Sequence, residues 1–143
     1  MKVNTILSTR RGEVITINPD KTLRDVVLLL AQYRIGALVV VDGDGSLQGI
    51  ISERDVIRAA AVHADLFALK VHEVMTRNVV VGVPQDDVWV VAHTMTERRF
   101  RHVPIVDAGK LIGIISIGDI MKAQRDAYQG ELDTLEMQLL SDA

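Results

Sequence analysis

Hydrophobic and polar residues along the chain alternate in two patterns, one typical of strands and one typical of helices. In the first half, a β-branched run at residues 14–17 precedes a segment, residues 23–30, whose apolar positions recur at helical spacing, with Thr22 as the predicted N-cap. Two apolar runs separated by a polar turn follow within residues 37–51, and another amphipathic helix is predicted from about Arg54. The pattern predicts the element order β-α-β-β-α.

The same order occurs again in the second half of the chain. Pro19 aligns with Pro84 and Arg34 with Arg99 at one offset, and after a one-residue gap in a predicted hairpin turn Gly49 aligns with Gly113. In the second copy the predicted elements are a strand at 79–83, a helix at 88–95, strands at 103–106 and 111–115, and a helix from Gly118. We therefore predict an α+β fold of two pseudo-symmetric units packed together, residues 1–63 and 64–122, with a C-terminal helical tail, residues 123–143.

Composition narrows the class of protein. The chain has 143 residues, of which 48% are hydrophobic but only 3% aromatic, so the predicted core is aliphatic. A net charge of −3 disfavours nucleic acid as a partner, and the absence of cysteine excludes disulfides, thiolate metal sites and cysteine nucleophiles. No apolar run approaches the ~18 residues that span a bilayer, and the N-terminus lacks a signal-like stretch. We expect a cytoplasmic protein without membrane contact.

Two segments carry the most specific chemistry. Both have the form Gly-apolar-apolar-Ser-x-x-Asp at a predicted strand-to-helix junction, with Ser52 and Asp55 in one copy and Ser116 and Asp119 in the other. A helix N-terminus offers unpaired N–H groups to a phosphate, and an aspartate one turn later can accept hydrogen bonds from ribose hydroxyls. The alternative is a capping box that only starts the helix. The two interpretations are compatible, and the recurrence of the motif favours the ligand site.

The doubled unit, the Val74-Met75-Thr76 segment and the basic stretch that continues into residues 101–107 together resemble a tandem pair of CBS domains, also called a Bateman module. The resemblance covers residues 3–122. It implies a regulatory sensor without catalysis of its own, which binds AMP, ADP, ATP or NAD(H) in two clefts between the copies, with S-adenosylmethionine a less favoured ligand. No cofactor is required in such a module.

When the ligand-binding positions of the family are mapped onto this sequence, the resemblance implies that each cleft is formed by residues of both copies. In the first cleft, Ser52 and Asp55 hold the sugar-phosphate and the base is framed by Val81, Arg101, His102 and Val103. In the second cleft, Ser116 and Asp119 take the sugar-phosphate, Ile114 belongs to the same set, and the adenine lies against Thr16, Ile17, Ile35, Gly36 and Ala37. The second motif has Ile117 and Gly118 where the first has Glu53 and Arg54, so the clefts are predicted to be inequivalent.

The densest basic stretch, residues 98–102, has two interpretations. It is either the solvated end of a helix or a phosphate clamp, since guanidinium groups match phosphate geometry. In the second interpretation Arg99 and Arg101 act with Arg54 of the first motif. No pair of the four histidines has the spacing of a metal site, so no metal is predicted.

The tail contains apolar residues at heptad-like spacing, from Met121 and Tyr128 through Leu132 and Leu135 to Leu139. It either folds back on its own core or packs on a partner subunit. We expect an adenine nucleotide, a second copy in a homodimer and an unidentified protein target as partners. The alternative function is a ligand-independent interaction scaffold. An enzyme is disfavoured, because the sequence has no recognisable nucleophile with its base, catalytic carboxylate pair or metal set.

Overall fold

The structure is a computed structural model that describes residues 1–9 and 14–142, and its elements follow the predicted order closely. The helices are α1 Val3–Ser8, α2 Leu23–Tyr33, α3 Glu53–Val62, α4 Val71–Val74, α5 Val88–Arg98 and α6 Ile117–Ser141, with a 3₁₀ turn at Leu66–Ala68; the strands are β1 Thr16–Ile17, β2 Ala37–Val41, β3 Leu47–Ser52, β4 His102–Asp107 and β5 Lys110–Ser116. The predicted α+β class and the C-terminal helix are confirmed.

The first unit is a three-stranded sheet covered by α2 and α3. Strand β1 pairs parallel to β2, and β2 pairs antiparallel to β3 through the predicted hairpin. Helix α2 begins at Thr22 in a capping box: the Asp25 N–H donates to Thr22 Oγ1 (3.3 Å), and the Thr22 N–H donates to Asp25 Oδ2 (3.0 Å). The predicted N-cap is therefore confirmed, and the apolar face of the helix is buried on the sheet through Leu23 and Val26.

The second unit contains only two strands, so the predicted strand at residues 79–83 is wrong. The chain bends before it can pair, because the Val79 N–H donates to the Arg77 carbonyl two residues earlier (3.0 Å). Gly82 alone forms a parallel bridge to Ile105, donating its N–H to the Pro104 carbonyl and accepting from the Val106 N–H, both at 2.9 Å. The predicted β-α-β-β-α order thus shortens to α-β-β-α in the second copy, with a single bridge where the first strand was expected.

The two units exchange short helices. Helix α1, which precedes the first unit in the chain, completes the core of the second unit, and α4, which precedes the second unit, completes the core of the first. Val3 and Ile6 of α1 are buried among the core residues of the second unit, whereas Val71 of α4 and the adjacent Met75 are buried in the first. Neither residues 1–63 nor residues 64–122 contain a complete core on their own. The division of the chain at these boundaries stays a prediction, but the two cores are interlocked.

Helices α1 and α4, with the residues next to them, are the exchanged segments, and equivalent backbone hydrogen bonds hold each of them against the unit whose core it completes. The Val3 N–H donates to the Asp86 carbonyl (2.9 Å), and in the other copy the Val71 N–H donates to the Lys21 carbonyl (2.8 Å). Lys2 bridges to Asp87 and Lys70 bridges to Thr22 at the corresponding helix starts. The exchange is therefore a repeated feature of the fold, and it fixes the two units against each other.

Helix α6 continues without a break through Gly130 to Ser141. Ile120 is buried and Ala123 packs against the core of the second unit, but every described residue after Ala123 is exposed. The alternative in which the tail folds back on its own core is therefore wrong. Across the described ranges, 1–9 and 14–142, no helix combines the length and the apolar character needed to cross a membrane.

Candidate functional site

Both Ser-x-x-Asp motifs form capping boxes with nearly the same geometry. The Ser52 N–H donates to Asp55 Oδ2 (2.8 Å) and the Ser116 N–H donates to Asp119 Oδ2 (2.7 Å). In return, the aspartate N–H donates to the serine Oγ, at 3.4 Å in the first motif and 3.1 Å in the second. The cap interpretation is therefore correct at both junctions. At Asp55 the second carboxylate oxygen, Oδ1, accepts no hydrogen bond from the described residues.

The first junction opens into a cleft of about 360 Å³, the first cleft. One wall comes from β3 and α3 of the first unit, and the other comes from the end of α5 and the start of β4 in the second. The lining residues are Ile50, Ser52, Glu53, Arg54, Asp55, Arg58, Thr76, Asn78, Val79, Val80, Arg98, Arg99, Phe100, Arg101 and His102. A molecule in this cleft would contact both copies of the repeat.

The second junction opens into a cleft of about 450 Å³, the second cleft. Its walls come from β5 and the start of α6 in the second unit and from the end of α2 and the start of β2 in the first. The lining residues are Leu7, Val14, Ile15, Arg34, Ile35, Gly36, Ala37, His102, Ile112, Gly113, Ile114, Ser116 and Asp119. Volumes of this size are typical of small-molecule sites.

Most residues predicted for the first cleft lie in it. Ser52, Arg54, Asp55, Arg99, Arg101 and His102 all line its surface. Val81 and Val103 do not, because Val103 is buried in the core of the second unit and Val81 lies outside the cleft. Val79 and Val80 line the cleft instead, in the segment that does not form the expected strand. The binding role of these side chains stays a prediction.

In the second cleft the predicted residues from the end of α2 and from the second motif also meet. Ile35, Gly36, Ala37, Ile114, Ser116 and Asp119 line it. Thr16 and Ile17 do not: both pair with β2 in the sheet, and Ile17 is buried beneath it. The observed strand is two residues shorter than the predicted one, and the residues before it, Val14 and Ile15, face the cleft.

Arg34 is a lining residue that the sequence-based assignment omitted. It ends α2 in the left-handed conformation (φ 52°, ψ 48°), as Arg99 ends α5 (φ 59°, ψ 43°). Arg34 lines the second cleft and Arg99 lines the first. The repeat alignment pairs these two arginines, so that pairing could have identified Arg34 as a site residue.

His102 separates the two clefts and lines both of them. A Cβ added at Gly36 would lie 3.3 Å from His102 Nε2 and 3.5 Å from Glu53 Oε1, so both side chains pass close above this glycine. The Gly36 carbonyl accepts from the Glu53 N–H at 2.9 Å, which ties the start of α3 to the start of β2. A side chain at residue 36 would therefore disturb both clefts.

The first cleft is strongly cationic. Its lining includes five arginines, Arg54, Arg58, Arg98, Arg99 and Arg101, against the two carboxylates of Glu53 and Asp55. No ion pair within the described ranges joins any of these arginines to an acidic side chain. In the same part of the chain, no cluster of three or more potential metal ligands is found.

The arrangement defines a class of protein: a duplicated module in which each strand-to-helix junction faces the other copy across a cleft. A family model described as "CBS domain" matches residues 3–62 and 71–126, and the chain belongs to this family.

Solved structures agree with this assignment. A CBS-domain-containing protein from Agrobacterium tumefaciens superposes with a TM-score of 0.82 at 39% identity, covering 86% of this chain and 92% of that one. The CBS domain pair of protein MJ0100, in complex with 5′-methylthioadenosine and S-adenosyl-L-methionine, matches with a TM-score of 0.79 at 28% identity, covering 89% and 98%. CBSX2 in complex with AMP matches with a TM-score of 0.75 at 26% identity, covering 89% and 98%. The shared feature of the two bound neighbours is an adenosine-containing ligand.

Proposed function

We propose that this protein is a regulatory sensor that binds adenosine-containing nucleotides (AMP, ADP, ATP or NAD(H)) in the two clefts between its repeats. The observation that carries the proposal is that both Ser-x-x-Asp junctions open into clefts whose opposite wall belongs to the other copy. The adenosine ligands of two structural neighbours support the ligand class. S-adenosylmethionine is the less favoured candidate here, because the cationic lining of the first cleft favours an anion.

In this proposal the caps and the ligand share the same residues. The start of each helix presents N–H groups to a phosphate, while the aspartate uses Oδ2 for the cap; at Asp55 the other oxygen, Oδ1, would accept from ribose hydroxyls. Backbone groups of Ile35 to Ala37 in the second cleft, and of Arg101 and His102 in the first, would contact the edge of the base. Aliphatic walls suffice for the base, since a pocket needs only a few oriented polar groups to discriminate.

Signalling would follow from the interlocked cores. A ligand that bridges the copies stabilises the arrangement that it binds better, by about 2.7 kcal/mol when it is present at 100 times its Kd. Such an energy could shift an interface with a second copy or with a protein target. A homodimer, a protein target and a cytoplasmic location are part of this proposal.

Isothermal titration calorimetry with AMP, ATP, NADH and S-adenosylmethionine tests the proposal. We expect heat of binding from at least one adenosine nucleotide, with a stoichiometry of up to two per chain. An absence of heat with all four ligands, for protein that melts cooperatively, would contradict it.

No catalytic role is proposed. The serine oxygens at both junctions accept the backbone N–H of the aspartate three residues later, which is the geometry of a cap and not of an activated nucleophile. Turnover of ATP or NADH above the rate in buffer would overturn this part of the proposal.

The second candidate function is a ligand-independent scaffold, and the exposed tail favours it. Tyr128 is 63% exposed, Leu135 56% and Leu139 70%, on a helix that extends beyond the core. If this function is correct, a partner is recovered in pull-downs from cell extract only when residues 128–139 are intact, and the melting temperature does not respond to nucleotides. If it is wrong, truncation of the tail leaves nucleotide binding and partner recovery unchanged.

A further inference from the structure

We propose that the first cleft selects nucleotides that carry two or three phosphate groups over nucleoside monophosphates. This inference rests on the proposed function and names the ligand class of one of its two sites. The observation behind it is the set of five arginines in the lining, which no single phosphate group can engage at once.

The arginines come from both walls of the cleft. Arg54 and Arg58 are four residues apart on α3, so their side chains leave the same face of that helix. Arg98 and Arg99 end α5, and Arg101 precedes β4, on the opposite wall. Positive charge from the two copies therefore converges on the space between them.

This charge is not balanced within the described protein. The lining contains five arginines but only two acidic residues, Glu53 and Asp55. The Asp55 carboxylate also accepts a hydrogen bond from the Ser52 N–H. All five arginine side chains are exposed and form no ion pair with a described residue, so their guanidinium groups are available to a bound anion. Like charges around one cleft raise the local positive potential, which attracts an anion into it.

The position of the charges also fits an extended phosphate chain. The helix start beside Ser52 is where the α-phosphate of a nucleotide would lie, because the first N–H groups of α3 face the cleft there. Further phosphates would extend from this point along the lining, which includes Arg58 and Arg98 outside the Ser-x-x-Asp motif. Guanidinium groups bind phosphate oxygens in a bidentate manner, so each added phosphate gains a charge-assisted contact.

The described lining of the second cleft lacks this feature. Arg34 is the one arginine among its described residues, and Ile117 and Gly118 stand where the first motif has Glu53 and Arg54. The inference is therefore confined to the first cleft.

The test measures AMP, ADP and ATP by calorimetry on the full chain carrying Asp119→Ala, which removes the aspartate of the second cleft. We expect ATP to bind the remaining site about tenfold or more tightly than AMP, with ADP between them, and the advantage of ATP to shrink as salt increases. Arg58→Ala and Arg98→Ala should each weaken ATP about tenfold and AMP much less. Arg24→Ala removes an exposed helical arginine outside both clefts and serves as the matched control, with no change expected for either ligand.

The results of this test distinguish the polyphosphate selectivity from the proposed sensor function on which it rests. Equal affinity for AMP, ADP and ATP at the remaining site overturns the polyphosphate selectivity and leaves the sensor function standing. No binding of any nucleotide, in this variant and in the unmodified chain, overturns the sensor function itself. The same variant is also titrated with tripolyphosphate, which lacks a nucleoside. If tripolyphosphate binds as tightly as ATP, the site recognises polyphosphate alone and the nucleotide assignment is wrong.

Discussion

Arg34 and Arg99 adopt the same left-handed backbone conformation at equivalent helix ends, and each lines a different cleft. Glycine is the usual residue at such a position, because an L-residue there brings its Cβ close to the following carbonyl. The chain places arginine at both positions and accepts the strain twice. Strained backbone of this kind concentrates at functional sites, which agrees with a role for both guanidinium groups in binding.

Replacing either arginine with glycine should change the stability of the fold and the affinity for nucleotide in opposite directions. We expect Arg34→Gly and Arg99→Gly each to raise the free energy of unfolding by about 1 kcal/mol, while each weakens nucleotide binding in the cleft that the residue lines. Urea denaturation measures the first effect and calorimetry the second.

A third residue provides the control. Ala108 has φ 49° in the turn between β4 and β5, away from both clefts. Ala108→Gly should stabilise the fold by a similar amount and leave nucleotide affinity unchanged. If the arginine variants keep full affinity, then the strain at residues 34 and 99 has no connection with ligand binding.

The two aspartates of the motifs should act on different clefts. We expect Asp55→Ala to abolish binding in the first cleft and to spare the second, and Asp119→Ala to do the reverse, since each lines only one cleft. Stoichiometry measured by calorimetry should fall from two sites to one in either variant.

Because both aspartates also cap helices, the loss of a cap needs its own control. Asp25 forms the same capping box at the start of α2 but lines neither cleft. Asp25→Ala should lower the free energy of unfolding, as the other two substitutions do, because it removes the acceptor of the N-cap backbone N–H, but it should not reduce ligand stoichiometry. Loss of both sites from any single one of these changes would contradict the assignment of one aspartate to each cleft.

The cap at Asp25 also predicts a pH dependence. Hydrogen bonds from the Thr22 backbone N–H and then from the Thr22 hydroxyl lower the pKa of Asp25 below its ordinary value of 3.8. A carboxyl whose pKa is depressed by folding contributes stability that is present above its unfolded pKa and is lost as the pH falls through the folded one. The difference in stability between the wild type and Asp25→Asn should therefore be constant near neutral pH and shrink below about 3.8.

NMR titration of the Asp25 carboxyl gives an independent measurement of this effect. Its midpoint should lie below 3.8 in the folded protein. A midpoint at or above that value would show that the cap does not favour the ionised form.

The repeat and the two junctions could be predicted from sequence because their signals are local. Capping at Thr22, Ser52 and Ser116 depends on residues three positions apart, and the alignment of the copies needs no tertiary information. The same locality allowed the residues near each motif to be assigned to the correct cleft.

Features that depend on contacts between the halves were not predictable in this way. Helix α1 has only six residues and owes its place to the core of the second unit, where Val3 and Ile6 are buried. The residues at 79–83 have strand-like composition, but the turn at Val79 and the single bridge at Gly82 replace the strand. Assignment of Thr16 and Ile17 to the second cleft erred by two residues, since strand boundaries are not fixed by composition.

The equivalent glycines of the two motifs, Gly49 and Gly113, differ in the atoms that would clash with a side chain at each position. A Cβ at Gly49 would lie 2.5 Å from the Thr76 carbonyl oxygen, a backbone atom held by its own strand bridge to Ile50. A Cβ at Gly113 would lie 2.6 Å from Leu7 Cδ2, the far end of a flexible side chain. The glycines therefore allow close approach of the exchanged segments.

Gly49→Ala should consequently destabilise the protein more than Gly113→Ala, by about 1–3 kcal/mol for the former as measured by urea denaturation. The backbone at Thr76 cannot move without breaking its hydrogen bonds with Ile50, at 2.9 and 3.0 Å, whereas Leu7 can change rotamer. Because Leu7→Ala removes the clashing atoms, Gly113→Ala should cost less stability in the Leu7→Ala background than in the wild type. Equal losses at the two glycines, or the same cost of Gly113→Ala in both backgrounds, would mean that these contacts do not limit the two positions.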